Sequence, residues 1–230
     1  MHGTMCNKVN NHQTVFSRDG LRTIDSDAVE YYGLPSIVLM ENAARGAAAC
    51  VLNVADDAQR QNVIIICGCG NNGGDGYAVA RYLANDGCVV SILQIGKPKT
   101  NDAILNATVA EKMGIPISPW TPNTLKPGAL VIDALFGTGL DRTIEGDIAD
   151  AIHAINESSS CRISLDIPSG LDCDSGFPLG CCIKATMTVT FVGIKVGFLN
   201  STAEQYLGTV KIVDIGCPAC LLNTYGFSAT

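Results

Sequence analysis

Positive charge is scarce in this 230-residue chain: 15 lysines and arginines face 22 aspartates and glutamates, a formal net charge of −7. That balance argues against a nucleic-acid or anionic-membrane surface. Histidine is scarcer still, limited to His2, His12 and His153, so a zinc cluster is not expected. Charged residues make up only 16% and hydrophobic residues 47%, a composition that excludes disorder. No apolar run reads as a membrane span, and Met1 to Gln13 lacks the apolar centre of a secretory signal; the expected location is therefore cytoplasmic. Cysteine is the exception to this sparseness, with 11 residues, but the odd total and scattered spacing argue against a disulfide framework. Cys217 and Cys220 have redox-motif spacing, yet they follow the last expected strand with no helix to lower a thiol pKa, and they are read as incidental thiols.

Glycine is abundant, and it is concentrated where it matters. Gly68-Cys69-Gly70-Asn71-Asn72-Gly73-Gly74-Asp75-Gly76 joins the β-branched run Val63-Ile64-Ile65-Ile66 to a helical pattern beginning at Tyr77. Glycines at such a joint permit positive φ and close backbone approach to a ligand, and the N–H groups at the helix start favour an anion such as phosphate. The stretch also satisfies G-x-G-x-x-G at Gly68, Gly70 and Gly73 in the required strand-loop-helix setting. A dinucleotide dehydrogenase would place an acid at the end of the next strand to hold the ribose. Here Val89 to Ile95 runs into Gly96-Lys97-Pro98-Lys99. Asn71, Asn72 and Asp75 add side-chain oxygens to the loop, and a carboxylate beside a phosphate needs a cap, a sugar hydroxyl or a cation to make it tolerable.

Along the chain, residues 1–16 read as a mobile tail and 17–230 as one domain. Ser17 is expected to cap a helix from Arg18 to Tyr32, and Ser36 a second, apolar nearly all round, from Ile37 to Ala49. Such a helix is buried in the core or against a second copy, so a homodimer is one expectation; Glu41 and Arg45 are expected to pair locally. Strands and helices then alternate: Val63 to Cys67, Tyr77 to Asn85, Val89 to Ile95, Asp102 to Met113 and Ile115 to Ser118. After a connection marked by Pro119, Pro122 and Pro127 come Leu130 to Leu135, Ile148 to Ser158, Arg162 to Asp166, Ala185 to Val192 and Val210 to Ile215. The pattern predicts a three-layer, Rossmann-like α/β fold with a largely parallel sheet and extra N-terminal helices. Right-handed crossovers bring the ends of the parallel strands to one edge. Three polar loops should meet there: Asn71 to Gly76, Asp133 to Thr143, and Asp166 to Asp172.

These segments, with Met40-Glu41-Asn42-Ala43-Ala44 and Thr190-Phe191 through Lys195 to Gly197, resemble the NAD(P)H-hydrate epimerase family from about Ser17 to Gly216. Cys69 stands where that family's pattern has proline, and Thr186 where an acid is usual. The resemblance implies interconversion of the R and S forms of hydrated NADH and NADPH (NADHX and NADPHX), so that a dehydratase can restore the coenzyme. Because the chain ends soon after Gly216, that dehydratase is expected to be a separate protein. The resemblance places substrate on Asn71, Asn72, Gly73, Gly74 and Asp75, on Gly137, Thr138, Gly139, Leu140, Asp141, Arg142 and Thr143, and on Asp166. It also places one potassium ion per subunit at Asn72, Asp133 and Ser169, oxygen donors that suit a hard cation.

Epimerisation at C6 requires the ring nitrogen to expel the hydroxyl, forming an iminium that water attacks from the other face. That chemistry needs a proton donor, a base and negative charge near the cation, and Asp166 is assigned this catalytic part. Arg142 either offsets substrate phosphate or is a solvated arginine, Lys97 and Lys99 either meet a 2′-phosphate or are solvated, and Lys195 approaches from the side. Two other readings stand beside the epimerase: a non-catalytic binding module that keeps the fold, and a dehydrogenase using NAD as coenzyme, which the missing ribose acid disfavours.

Overall fold

The computed structural model describes residues 14–121, 124–125, 128–158 and 161–228. The opening stretch to Gln13 and the prolines Pro122 and Pro127 lie outside the described residues. Thr14–Phe16 forms a strand, β1, so the order in this chain begins before the expected Ser17. Helices α1 (Arg18–Glu30), α2 (Ser36–Val54) and α3 (Asp57–Arg60) follow. The alternating series then runs β2 (Val63–Cys67), α4 (Asn71–Asn85), β3 (Val90–Gln94), α5 (Asn101–Lys112), β4 (Ile117–Pro119), β5 (Leu130–Ala134), α6 (Asp147–Glu157), β6 (Cys161–Leu165) and β7 (Met187–Phe191). The chain closes with β8 (Ile194–Lys195), two short 3-10 turns, α7 (Glu204–Leu207), β9 (Thr209–Val213), α8 (Ala219–Tyr225) and β10 (Phe227–Ser228).

Seven strands form one sheet in the order β4-β3-β2-β5-β6-β7-β9, every neighbouring pair parallel. Apolar runs such as Val63-Ile64-Ile65-Ile66 are required because both faces are covered. Ile64 and Ile66 join Leu93, Val131, Ile152 and Ile155 on the face covered by α6. Val63, Ile65 and Cys67 join Ile92, Ile132 and Ile163 on the opposite face, beneath α1, α2 and α4. A second sheet, β10-β1-β8, pairs Val15 with Ile194 in parallel and with Phe227 antiparallel. It fastens the start of the described chain to β8. This is the three-layer α/β fold expected from the alternation.

The N-terminal helices are set by caps and stripes. Ser17 Oγ accepts from the Gly20 N–H at 3.1 Å, and Leu21, Ile24 and Ala28 form the buried stripe of α1. Helix α2 extends to Val54, beyond the expected Ala49, and Pro35 rather than Ser36 stands at its N-cap. Among the described residues it has the length and hydropathy of a membrane span, 19 residues at 1.3, contrary to the expectation that no run comes near one. Its stripe Leu39, Met40, Ala43, Ala44, Ala47, Ala48 and Val51 is buried within the protein, against α4 and β9. Packing inside the monomer accounts for that stripe, while Val38 and Val54 on the same helix are exposed.

Glu41 does not pair with Arg45. Its carboxylate accepts from Arg81 Nη1 at 2.5 Å and from the Tyr82 hydroxyl at 2.8 Å, binding α2 to α4, while Arg45 is exposed. A half-buried donor on another helix offers Glu41 a better-desolvated partner than a solvated neighbour one turn away. Urea denaturation should show Glu41→Ala costing about 1.5–3 kcal/mol, the range for hydrogen bonds to charged groups. Arg45→Ala should stay within about 0.5 kcal/mol; equal effects would restore the local pair.

Candidate active site

The strand ends of β2, β5, β6 and β7 open into a cleft of about 610 Å³, within the usual range for small-molecule sites. Its floor begins at the glycine joint. Helix α4 starts at Asn71, not at Tyr77, so most of the expected loop is the helix's own first turns. None of Gly68, Gly70, Gly73, Gly74 and Gly76 takes positive φ. All but Gly70 stand where a side chain would meet neighbouring atoms: a Cβ on Gly73 would lie 2.0 Å from the Gly68 carbonyl oxygen, and one on Gly68 would lie 2.1 Å from that of Leu135. Gly73 and Gly74 are therefore buried in packing, while Asn71, Asn72 and Asp75 line the cleft. The exposed N-terminus of α4 directs free N–H groups into that space.

Beneath the loops lies Asp133, with no exposed surface. Its Oδ1 accepts from Ser169 Oγ at 2.5 Å and from the Leu135 N–H at 3.2 Å. Its Oδ2 accepts from Ser164 Oγ at 2.8 Å and from the Ser169 N–H at 2.9 Å. Burial pushes the carboxyl up, and these bonds act against it. Among the described residues no ion pair supplies Asp133 with a cationic side chain. Ser169 Oγ also accepts from the Phe136 N–H at 2.9 Å, tying the two later loops together. Asn72 is 8% exposed, and both polar atoms of its amide are buried without a hydrogen-bond partner. Buried orphan atoms of this kind carry a penalty that a ligand or ion relieves.

Asp166 stands at the end of β6 with φ of 65°, and Val192 at the end of β7 with φ of 68°. Each is the centre of a tight turn closed across two residues, by Ile167 N–H to the Leu165 carbonyl at 2.8 Å and by Gly193 N–H to the Phe191 carbonyl at 2.7 Å. Such turns with positive φ are the strained kind, and a side chain held there costs about 1–3 kcal/mol. Asp166 Oδ1 lies 2.8 Å from Lys195 Nζ, and Oδ2 accepts from the Thr138 N–H at 3.2 Å. Gly137 fits because it has no Cβ, which would stand 2.9 Å from Asp166 Oδ2. Arg18 braces the same loop: its Nε donates to the Thr138 carbonyl at 2.9 Å, and its guanidinium pairs with Asp172.

Gly137, Thr138, Gly139, Leu140, Asp141, Arg142 and Asp166 line the cleft with the residues of α4. Thr143 instead faces an adjoining cavity of about 300 Å³, and Ser169 is buried behind the surface with Asp133. Sequence reasoning missed Asp25 and Arg22 from α1, Met40 from α2, and Thr100 and Asp102 at the start of α5, all of which line the cleft. Asp25 follows buried Ile24 and lies four positions after buried Leu21, so an acid on the flank of an apolar stripe was the available signal. The redox-spaced cysteines also differ from expectation, since the short α8 does follow Cys217. Burial nevertheless pushes the Cys217 thiol up to about 11, and Cys220 Sγ lies 2.9 Å from the Tyr32 hydroxyl.

Burial, then the charges of Asp166, Asp25 and Asp102, push the Asp75 carboxyl well up. Asp25 retains exposed surface, but enclosure of its carboxyl, followed by the Asp166 charge, pushes it up to about 6 against the pull of Lys195. Removing the Asp166 charge takes away a repulsion and leaves the Lys195 ammonium, so both changes favour ionised Asp25. Carbon-detected NMR should find the Asp25 carboxyl titrating at about 6 in the native protein and lower in Asp166→Asn. An unchanged midpoint would show that the two groups do not share a field.

The model of the family described as "YjeF-related protein N-terminus" matches residues 36–197. An NAD(P)H-hydrate epimerase of Rhodopirellula baltica is 40% identical over 89% of this chain and 85% of its own length. That of Lentilactobacillus buchneri is 41% identical over 85% of this chain and 91% of its own. The bifunctional NAD(P)H-hydrate repair enzyme of Salinibacter ruber is 33% identical, and the match covers 91% of this chain and 42% of that larger protein. Among solved structures, yeast YNL200c shares the fold with a TM-score of 0.78 and 21% identity over 94% of this chain and 95% of its own. The chain belongs to the NAD(P)H-hydrate epimerase family built on the YjeF-related N-terminal domain.

Proposed function

We propose that this chain is an isomerase that interconverts the R and S forms of NADHX and NADPHX. The observation that carries the reading is Asp166, whose carboxylate is held in a strained turn at the cleft floor with one oxygen on Lys195 and the other on the Thr138 N–H. A carboxylate fixed in this way is organised before substrate arrives, and it stabilises positive charge without reorganising. The relatives' shared activity supports the same reading.

In the reaction, the lone pair of the ring nitrogen forms the C6=N bond as the C6–O bond breaks and the departing hydroxyl takes a proton, leaving as water. Asp166 sets negative charge beside the iminium. Asp75 and Asp25, which both line the cleft with carboxyls pushed up, are the groups suited to give the departing hydroxyl its proton. Water adds to the opposite face and returns a proton to the site, so no electrons are exchanged with the enzyme. The exposed Arg22 and Arg142 and the free N–H groups at the start of α4 are placed to take substrate phosphate.

Asn72, Asp133 and Ser169 would hold a potassium ion. Amide, carboxylate and hydroxyl oxygens form a hard-donor set, Asn72 is orphaned, and Asp133 is a buried carboxylate pushed up by burial. When bound, the cation would offset the Asp133 charge and the phosphate charge nearby. A dehydratase acting on one epimer is the partner that would consume the product, and the cytosol is the location in which we place both.

Two measurements test these assignments. Chromatographic exchange of purified R-NADHX in potassium buffer should be accelerated by the wild-type protein with no redox change, and Asp166→Asn should lose about 10²–10⁴-fold of that rate while binding persists. An inactive, folded wild type would instead favour a binding module. Thermal unfolding should shift upward in potassium chloride relative to choline chloride at equal ionic strength, approaching about 2.7 kcal/mol at a hundredfold excess over Kd. Asn72→Ala should abolish that difference, and a difference retained in full would place the ion elsewhere.

A further inference from the structure

We infer that Lys195 is a positioning residue for the epimerase reaction: by bridging the turns at Asp166 and Val192, its ammonium fixes the direction in which the Asp166 carboxylate faces the cleft. The inference rests on the epimerase reading above. Lys195 is 1% exposed, so its three donors must be satisfied within the protein. They are matched by the Phe191 carbonyl at 2.7 Å, the Gly193 carbonyl at 3.3 Å and Asp166 Oδ1 at 2.8 Å.

Those two carbonyls converge because of the turn between them. Val192 is β-branched, and a positive φ is an outlier for such a residue, so the conformation persists only where its surroundings enforce it. The ammonium supplies that enforcement by drawing both flanking carbonyls to one point. Its third contact crosses from the end of β7 to the end of β6. These strands are parallel neighbours with Leu165 opposite Val189, and the Asp166 N–H donates to the Val189 carbonyl at 2.7 Å. One cation therefore connects two strained turns on adjacent strands.

For the carboxylate, the consequence is directional. With Oδ1 on Lys195 and Oδ2 on the Thr138 N–H, rotation about the last side-chain bond would break one contact or the other. Asp25 and Asp75 repel the same group, and Lys195 provides the opposing charge among these residues. It acts through Asp166, so its contribution belongs in turnover and not in substrate affinity.

The test uses the full chain in potassium buffer with R-NADPHX as substrate. Lys195→Met should lower kcat by about 10²-fold or more while KM changes by less than about threefold. In the Asp166→Asn background, adding Lys195→Met should change kcat by less than about twofold, because the carboxylate through which it acts is already lost. A single variant that keeps its kcat, one that changes KM alone, or multiplicative losses in the double variant would overturn the inference. If Lys195→Met does not fold, recovery of folding in the double variant supports the coupling, since both buried charges are then removed together. A double variant that also fails to fold would overturn it in favour of a purely architectural lysine. Absence of exchange by wild type would overturn the epimerase reading instead, and the folding comparison would still test the bridge.

Discussion

The buried Asp133 carboxylate is the constraint on which the geometry of the cleft depends. A charge in the middle of a parallel sheet is costly unless its lone pairs are used. Here its donors come from Ser164 on β6, from Ser169 in the following loop and from the backbone of Leu135. Moving either loop would strand a buried acceptor. Through Ser169 Oγ the same network reaches the Phe136 N–H, and from there the loop after β5 leads directly into Gly137 and Thr138. The position of the Thr138 N–H on Asp166 is thus a consequence of how a charge one layer below is satisfied.

Close packing imposes a second constraint, on the other side of the cleft. Helix α4 approaches its neighbours so tightly that its packed face has little room for side chains at the start: a Cβ on Gly76 would meet Ala134 Cβ of β5 at 2.6 Å, and one on Gly74 would meet Met40 Cε of α2 at 2.7 Å. Small residues here bring the helix N-terminus over the strand ends, where its N–H groups can serve an anion. They also bring Asn72 into a space in which protein offers its amide no partner. The same compression that builds the core thus leaves the Asn72 amide beside the cleft without a protein partner.

Most of the fold was legible because strand and helix periodicity is local. The apolar run of β2, the alternating elements after it and the convergence of the three loops all follow from patterns a few residues long. The helix start at Asn71 was hidden because glycine and asparagine carry poor helical propensity, which tertiary packing overrides. Glu41 was misassigned for a related reason, since Arg81 is forty positions away in the chain and Arg45 only four. For Asp25 the sequence offered only an acid on the flank of the apolar stripe of α1, because its place in the cleft depends on where α1 docks. The two short strands β1 and β8 were likewise missed: their pairing partners define them, and Thr14–Phe16 and Ile194–Lys195 are too short to carry a period.

The arrangement of charge explains how an acidic protein accommodates an anionic substrate. Asp25, Asp75 and Asp166 act on one another across the cleft, whereas Arg22 and Arg142 lie on its exposed rim. A uniform positive pocket would hold the diphosphate well but would oppose the iminium formed at the ring. A uniform negative pocket would do the reverse. Separating the two signs allows binding energy gained at the phosphates to hold the ring in a field that favours its cationic state. Asp166 is suited to the negative end because Lys195 and the Thr138 N–H fix its orientation. The overall shortage of basic residues fits this proposed division, in which backbone N–H groups and the rim arginines Arg22 and Arg142 would meet the phosphates.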